Sequence, residues 1–265
     1  MAIDTKLSFC QAYNNCSGVF GEYEEFLQSC EHIARQATND SVTGNAVSNA
    51  RGAWYAWLLA IDSIRFNHAN INSHYLIKLP NHAQFDCNRL YIDVLWNLID
   101  DFRNKLSAVG NVNLVTSNPD YVIISREIAV TLPTFGNTIT QTDLESIDGI
   151  YSQFVARCNL NDIVGYMGAK VSVRPDRRIQ LLHEGSLTKA IYAHLQTRMW
   201  LIDAIGIKYY AVSINFTEAD KRGLRSVATH SIASSALKPQ PAVDDVVAVS
   251  NSSTANLFFT ISLTP

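Results

Sequence analysis

Fifteen residues from Lys170 to Glu184, K-V-S-V-R-P-D-R-R-I-Q-L-L-H-E, combine two kinds of chemistry. Lys170 and Glu184, joined by one further acid, are the groups a metal-dependent phosphodiesterase needs. Carboxylates hold a hard cation against a phosphate, and the lysine offsets the charge that builds up there. Between them, Arg174, Asp176, Arg177 and Arg178 supply forked donors and one acceptor. A guanidinium fits the O6 and N7 acceptors of guanine bidentately, and a carboxylate accepts from the amino group of cytosine. Arg-x-Asp-Arg therefore suits a run of adjacent C·G pairs. A salt-bridged Arg/Asp loop capping a helix would use the same residues.

The further acid is Asp120, which follows Pro119 in an apolar, β-rich stretch. Strand ends far apart in sequence meet in a sheet, so Asp120 and Lys170 are candidates for one site. The position two before the lysine, where a second acid is commonly found in such sites, is Gly168, and Glu184 is placed to supply that acid from the following helix.

The elements that must position these groups follow from periodicity. Residues 1 to about 45 read as helical and polar. Ala46 to Phe66 carries Trp54, Trp57, Leu58, Ile61 and Ile64 at helical spacing and reads as a buried helix. Tyr75–Leu79 is a short strand ended by Pro80-Asn81. Cys87–Leu106 reads as a helix with Leu90, Val94, Leu95, Leu98 and Phe102 on one face. Asn113–Ser117 and Tyr121–Ser125 read as β runs separated by Asn118-Pro119. Leu144–Cys158 is helical, and Gly168–Val173 is a short strand delivering Lys170. A helix over about Arg177–Met199 has Asp176 as its N-cap, and Ile207–Ile214 is a buried strand. The class is α/β, a mixed β-sheet flanked by helices, in a single domain over 1–265 with a helical part to about 110 and a core over about 111–265.

Composition narrows the function classes. The 265 residues are 47% hydrophobic and 17% charged, which suits a globular chain. A net charge of −3 argues against a non-specific nucleic-acid coat but leaves room for a basic cleft. No apolar run is long enough to span a membrane and no signal-peptide core opens the chain, so a cytoplasmic protein without a membrane partner is expected. Cys10, Cys16, Cys30, Cys87 and Cys158 are scattered without zinc spacing and read as reduced thiols.

The chain resembles the CCGG family of type II restriction endonucleases, within the PD-(D/E)xK class, and most closely its RCCGGY cutters. The resemblance rests on T-S-N-P-D (116–120), R-P-D-R-R-I-Q-L-L-H-E-G-S-L (174–187) and A-H-L-Q-T-R-M-W (193–200). It continues in K-Y-Y-A (208–211), A-T-H-S-I (228–232), P-A-V-D-D (241–245), R-G-A-W-Y-A-W-L-L-A-I (51–61) and K-L-P-N (78–81). It implies a PD-(D/E)xK fold and Mg²⁺-dependent cleavage of double-stranded DNA containing CCGG, within R^CCGGY, leaving four-base 5′ overhangs. It implies Asp120 and Glu184 as metal ligands and Lys170 as the active-site lysine. Arg174, Asp176 and Arg177 become base readers, with Arg178 on phosphate or in a salt bridge. The resemblance also implies a homodimer reading a palindrome, assembly into a homotetramer, a bacterial cytoplasmic setting and a companion DNA methyltransferase. Trp200 matches a tryptophan used between dimers, or is a core tryptophan at a helix end.

One residue departs from the family. Where its members carry an active-site glutamate, this chain has Ala56, after Trp54-Tyr55. Two explanations stand: an inactivated variant that still reads DNA, or an acid supplied from elsewhere, such as Asp62. The alternatives to a CCGG endonuclease are thus a catalytically dead, sequence-specific binding protein and a same-fold nuclease with another outer base pair or task. His183 and His230 read as structural, and Ser117 and Asn118 as turn residues or phosphate donors. Tyr209 and Tyr210 read as sheet core, and Trp54 and Trp57 as packing.

Overall fold

The computed structural model describes residues 2–110, 114, 118–201, 206–233 and 239–265. Thr116, Ser117 and most of the expected 113–117 strand lie outside the described residues.

Five strands form one mixed sheet in the order β1 (Tyr75–Lys78), β2 (Tyr121–Ile124), β3 (Ile163–Lys170), β4 (Lys208–Ser213) and β5 (Asp245–Ala248). The first three are antiparallel, and β3, β4 and β5 run parallel. Every residue of β2, Y-V-I-I, is buried, as expected of a strand covered on both faces. Antiparallel pairing of β2 with β3 places Tyr121 opposite Met167. The residue before β2 and the last residues of β3 therefore lie at the same edge of the sheet, which brings Asp120 to Lys170.

Nine helices are described: α1 (Thr5–Asn15), α2 (Tyr23–Ala37), α3 (Gly44–Ala69), α4 (Asp93–Gly110), α5 (Gln141–Gly149), α6 (Pro175–Arg198), α7 (Glu218–Leu224), α8 (Thr229–Ala233) and α9 (Ser252–Leu263). Helix α6 packs on β3 and β4, and α3 packs on β1, β3 and α9. They take opposite faces, because successive strand residues alternate sides. Tyr121 points to α3, where its hydroxyl donates to the Ala56 carbonyl, whereas Gly168 faces Leu181 of α6. The N-terminal helices share this core rather than standing off it: Phe9, Tyr13, Phe26 and Leu27 belong to the same apolar cluster as the strands.

Several sequence boundaries move. The strand delivering Lys170 covers 163–170 rather than 168–173; Gly165 and Gly168 dilute its β pattern, while Ile163, Tyr166 and Met167 are buried. Helix α6 begins at Pro175, whose fixed φ suits a first helical position. Its N-cap is Arg174, so Asp176 sits inside the first turn instead of capping it. The expected helix from Cys87 divides. Cys87–Leu90 is a 3-10 turn capped by Asp86, Tyr91 bridges to Cys158, and α4 starts at Asp93 with Val94 exposed. The 144–158 helix stops early, continuing past Gly149 only as a 3-10 turn to Phe154. All five cysteines are free thiols.

Candidate active site

Asp120, Lys170 and Glu184 converge where the end of β3 meets α6. Lys170 Nζ lies 2.7 Å from Asp120 Oδ2, and the same oxygen accepts the Ala169 N–H at 2.7 Å. Glu184, in the third turn of α6, is 1% exposed. Its Oε1 accepts from Gln180 Nε2 at 2.8 Å, and its Oε2 accepts from the Tyr209 hydroxyl at 2.7 Å. A carboxylate so far from water requires such partners, since an unpaired buried charge is costly.

The three groups are coupled electrostatically. Burial raises the Glu184 pKa, and the Asp120 carboxylate adds to that; Lys170, Tyr209 and Gln180 pull the other way without cancelling it. Burial alone would lower the Lys170 pKa, but the facing Asp120 and Glu184 carboxylates outweigh it and leave it raised. Lys170 is thus held firmly as a cation between two acids. Two carboxylates pressed toward each other with only one cation between them suit a hard, oxygen-liganded divalent ion. Among the described residues, no group of three or more His, Cys, Asp or Glu side chains could hold a metal.

Ala56 of α3 bears on that shortage. It lines two cavities beside Asp120, of about 620 and 210 Å³. A longer acid at position 56 would project into space that Asp120 also borders. Asp62, the alternative source of an acid, does not reach this space. It is buried under the Tyr23 hydroxyl, which donates to it, with Arg65 on its other side.

Gly168 has a steric reason. A Cβ there would come within 2.4 Å of Leu181 Cδ2 and 2.5 Å of the Tyr209 hydroxyl. The space that an acid two residues before the lysine would need is filled by the hydroxyl that holds Glu184.

The arginines enter from the start of α6. Arg174 and Arg177 line the smaller cavity together with Asp120, Lys170 and Ala56. Arg174 and Asp176 are well exposed, and Asp176 meets Arg174 and Arg177 only at 3.7 and 3.8 Å. Such long, solvated contacts leave Arg174 and Asp176 free to turn to another partner, whereas Arg177 also donates to Gln180 Oε1 at 3.1 Å. Arg178 instead faces α7, 3.4 Å from Asp220, which favours its salt-bridge role.

Other expected residues resolve individually. Trp200 is 89% exposed at a positive φ of 54°, so the core reading of this residue is wrong. Asn118 serves the turn: its amide donates to the Pro80 and Phe85 carbonyls and its Oδ1 accepts from Cys87 N. His183 is exposed, and His230 is half-buried outside these cavities. Trp54 and Trp57 are buried packing, and each indole N–H also donates, Trp54 to the Thr5 carbonyl at 2.9 Å and Trp57 to Asp148 at 3.0 Å.

Sequence reasoning missed Tyr209, Gln180, Lys78 and Asp148. Tyr209 is sheet core as expected, yet its hydroxyl is a polar anchor for Glu184. Gln180 lies four residues before Glu184, a spacing that puts both on one helix face and could have signalled it. Lys78 and Asp148 pair at 2.7 Å in the wall of the larger cavity. No spacing links those two, which come together only through the fold.

The sequence profile described as Cfr10I/Bse634I restriction endonuclease matches residues 13–261. The chain belongs to the Cfr10I/Bse634I restriction endonuclease family. A curated member, the type II restriction enzyme Cfr10I of Citrobacter freundii, is 40% identical over 217 residues, 79% of this chain and 75% of that protein. The fold agrees. The Bse634I restriction endonuclease superposes with a TM-score of 0.88 at 28% identity, covering 98% of this chain and 92% of that one. A second Bse634I structure, described as bound to cognate DNA, gives 0.87 at 26% identity over the same shares. Membership makes the chain a type II restriction endonuclease, a site-specific deoxyribonuclease by class. No helix among the described residues is long and apolar enough to cross a membrane.

Proposed function

We propose that this chain reads a CCGG-core palindrome in double-stranded DNA, within R^CCGGY, and is built to cut it with Mg²⁺ to leave four-base 5′ overhangs. The observation that carries the reading is the sharing of one small cavity by Asp120 and Lys170 with Arg174 and Arg177. Phosphate chemistry and base reading so close together suit an enzyme that cuts inside the sequence it reads.

In this reading Asp120 and Glu184 would hold the metal, which would supply positive charge beside the scissile phosphate. Lys170, kept protonated by its two acid neighbours, presents a second positive charge to the same phosphate. Asp120 orients the Lys170 ammonium through its 2.7 Å contact. Arg174 and Arg177 address guanines, and Asp176 accepts from a cytosine amino group. One copy of this constellation serves each half-site of a homodimer, as a palindrome demands. The exposed indole of Trp200, beside the partly exposed Met199 and Leu201, offers an apolar contact for a homotetramer. A cytoplasmic bacterial setting and a methyltransferase that protects host sites complete the reading.

A second reading, a binding protein that does not cut, is favoured by Ala56. With Asp120 and Glu184 alone as ligands, metal would be held weakly while the arginines still read DNA. A gel shift with CCGG and scrambled duplexes in Ca²⁺, followed by Mg²⁺, separates the readings. Selective binding with cutting supports the endonuclease. Selective binding without cutting, reversed by A56E, marks position 56 as the lesion, and no selectivity in Ca²⁺ sinks both.

A further inference from the structure

Three side chains of α6 form a hydrogen-bonded line from the base-reading end to the metal-binding end. Arg177 Nη1 donates to Gln180 Oε1 at 3.1 Å, and Gln180 Nε2 donates to Glu184 Oε1 at 2.8 Å. The spacings of three and four residues put all three on one helix face. Glu184 is therefore held from two sides of different character. The Tyr209 hydroxyl grips Oε2 from a fully buried strand residue, whereas Gln180 grips Oε1 from a half-exposed position that touches a candidate base reader.

We propose that Gln180 is a positioning residue that couples base reading to metal binding. It occupies Oε1 of Glu184, the oxygen that Tyr209 does not hold, until Arg177 leaves it for a guanine.

The physical argument rests on amide polarisation. A cation donating to the oxygen of a primary amide draws electron density from its nitrogen, which strengthens the bond that the N–H makes to an acceptor. While Arg177 is bonded to Gln180, the amide is both oriented and strengthened as a donor to Glu184. When Arg177 turns its Nη groups to the acceptors of a guanine, the amide loses its anchor and its enhancement together. Glu184 Oε1 then becomes available, while Tyr209 keeps the carboxylate from swinging away. Non-cognate DNA, which gives Arg177 no bidentate partner, leaves the Gln180 contact in place. The arrangement withholds a metal ligand until the right base is read.

This inference rests on the proposed roles of Arg177 and Glu184, so its test separates the two. Mn²⁺ affinity of the unaltered chain is measured by electron paramagnetic resonance, alone, with a CCGG duplex and with a scrambled duplex. The same series is run on Q180M, which removes both hydrogen bonds at nearly constant volume. The unaltered chain should bind Mn²⁺ about fivefold more tightly with CCGG than with scrambled DNA, the worth of one released hydrogen bond. Q180M should bind at the tighter level whichever duplex is present. Q180E, which keeps the Arg177 contact but cannot donate to Glu184 as a carboxylate, provides the check if Q180M fails to fold, and it too should lose the duplex dependence. A role in helix stability alone would lower Mn²⁺ affinity in every condition and preserve the CCGG preference. If Q180M keeps the parental preference, the coupling is overturned while the site reading stands. If the unaltered chain does not bind CCGG selectively in Ca²⁺, the site reading and the coupling fall together.

Discussion

The two ends of α6 are built on opposite terms. At its start, Arg174 and Asp176 are about two-thirds exposed and meet only across contacts of 3.7 Å or more. Further along, Glu184 and Lys189 are almost fully buried, each with two short hydrogen bonds: Glu184 to Tyr209 and Gln180, Lys189 to the Pro241 carbonyl and Asp244. Base reading as proposed would require donors not already committed, and Arg174 in the cap and Asp176 in the first turn have no close partner. Holding a charge away from water requires the reverse, so the middle turns are saturated. One helix thus joins a surface made for exchange to a core made for permanence, and the sheet face supplied by β3 and β4 makes the second half possible.

The largest test of this contrast lies among the saturated groups at the site. In a protein restored by A56E, D120N should lower Mg²⁺-dependent cleavage by about 10²–10³-fold, the scale expected for removing one preorganised charge. CCGG binding in Ca²⁺ should change far less. Equal losses in cutting and binding would dissolve the distinction between the two ends. Next, K189A should destabilise the fold by about 2–4 kcal/mol in urea titrations. Removing one partner of a buried pair costs more than that when both are dry, and here Asp244 keeps some solvent. Stability within experimental error of the parent would mean that Lys189 is not a fastener.

At the exposed end the effects move from stability to recognition. R177K should weaken CCGG binding by about 1–3 kcal/mol per contact and leave scrambled DNA nearly unaffected, because lysine keeps the charge and loses the fork. A uniform loss on both duplexes would reassign Arg177 to phosphate. The smallest change in folding energy belongs to the far terminus. W200A should alter stability by no more than about 0.5 kcal/mol, as for most exposed positions, yet halve the mass seen by light scattering. An unchanged mass would remove Trp200 from the assembly interface.

Much of this contrast was legible in the order of residues. R-P-D-R-R announced a helix start with exposed forked donors, and Glu184 stood out because Gly168 could not be the second acid. The central sheet and its flanking helices followed from the apolar runs at Tyr75–Leu79, Tyr121–Ser125 and Ile207–Ile214. What stayed hidden was decided by tertiary contact. Tyr209 read as core because its ring is core; only the approach of α6 turns its hydroxyl into a ligand for Glu184. The Lys78–Asp148 pair joins residues seventy positions apart, beyond any local pattern. The start of β3 was obscured by its glycines, which weaken a strand's propensity signal while serving its packing. Trp200 sits at a helix end with a positive φ, a backbone turn that carries its side chain away from the core its type suggests.

The mutual fit of Gly168, Leu181 and Tyr209 also constrains where a buried acid can stand. An acid placed two residues before the lysine, the commoner arrangement, collides at its first carbon with two side chains at once. One of them is the hydroxyl that holds Glu184. A single substitution at 168 therefore damages the present site before it can found another. An acid at 168 would need concerted change on a strand and a helix that pack together, so this packing accommodates a buried acid from α6 and not from β3.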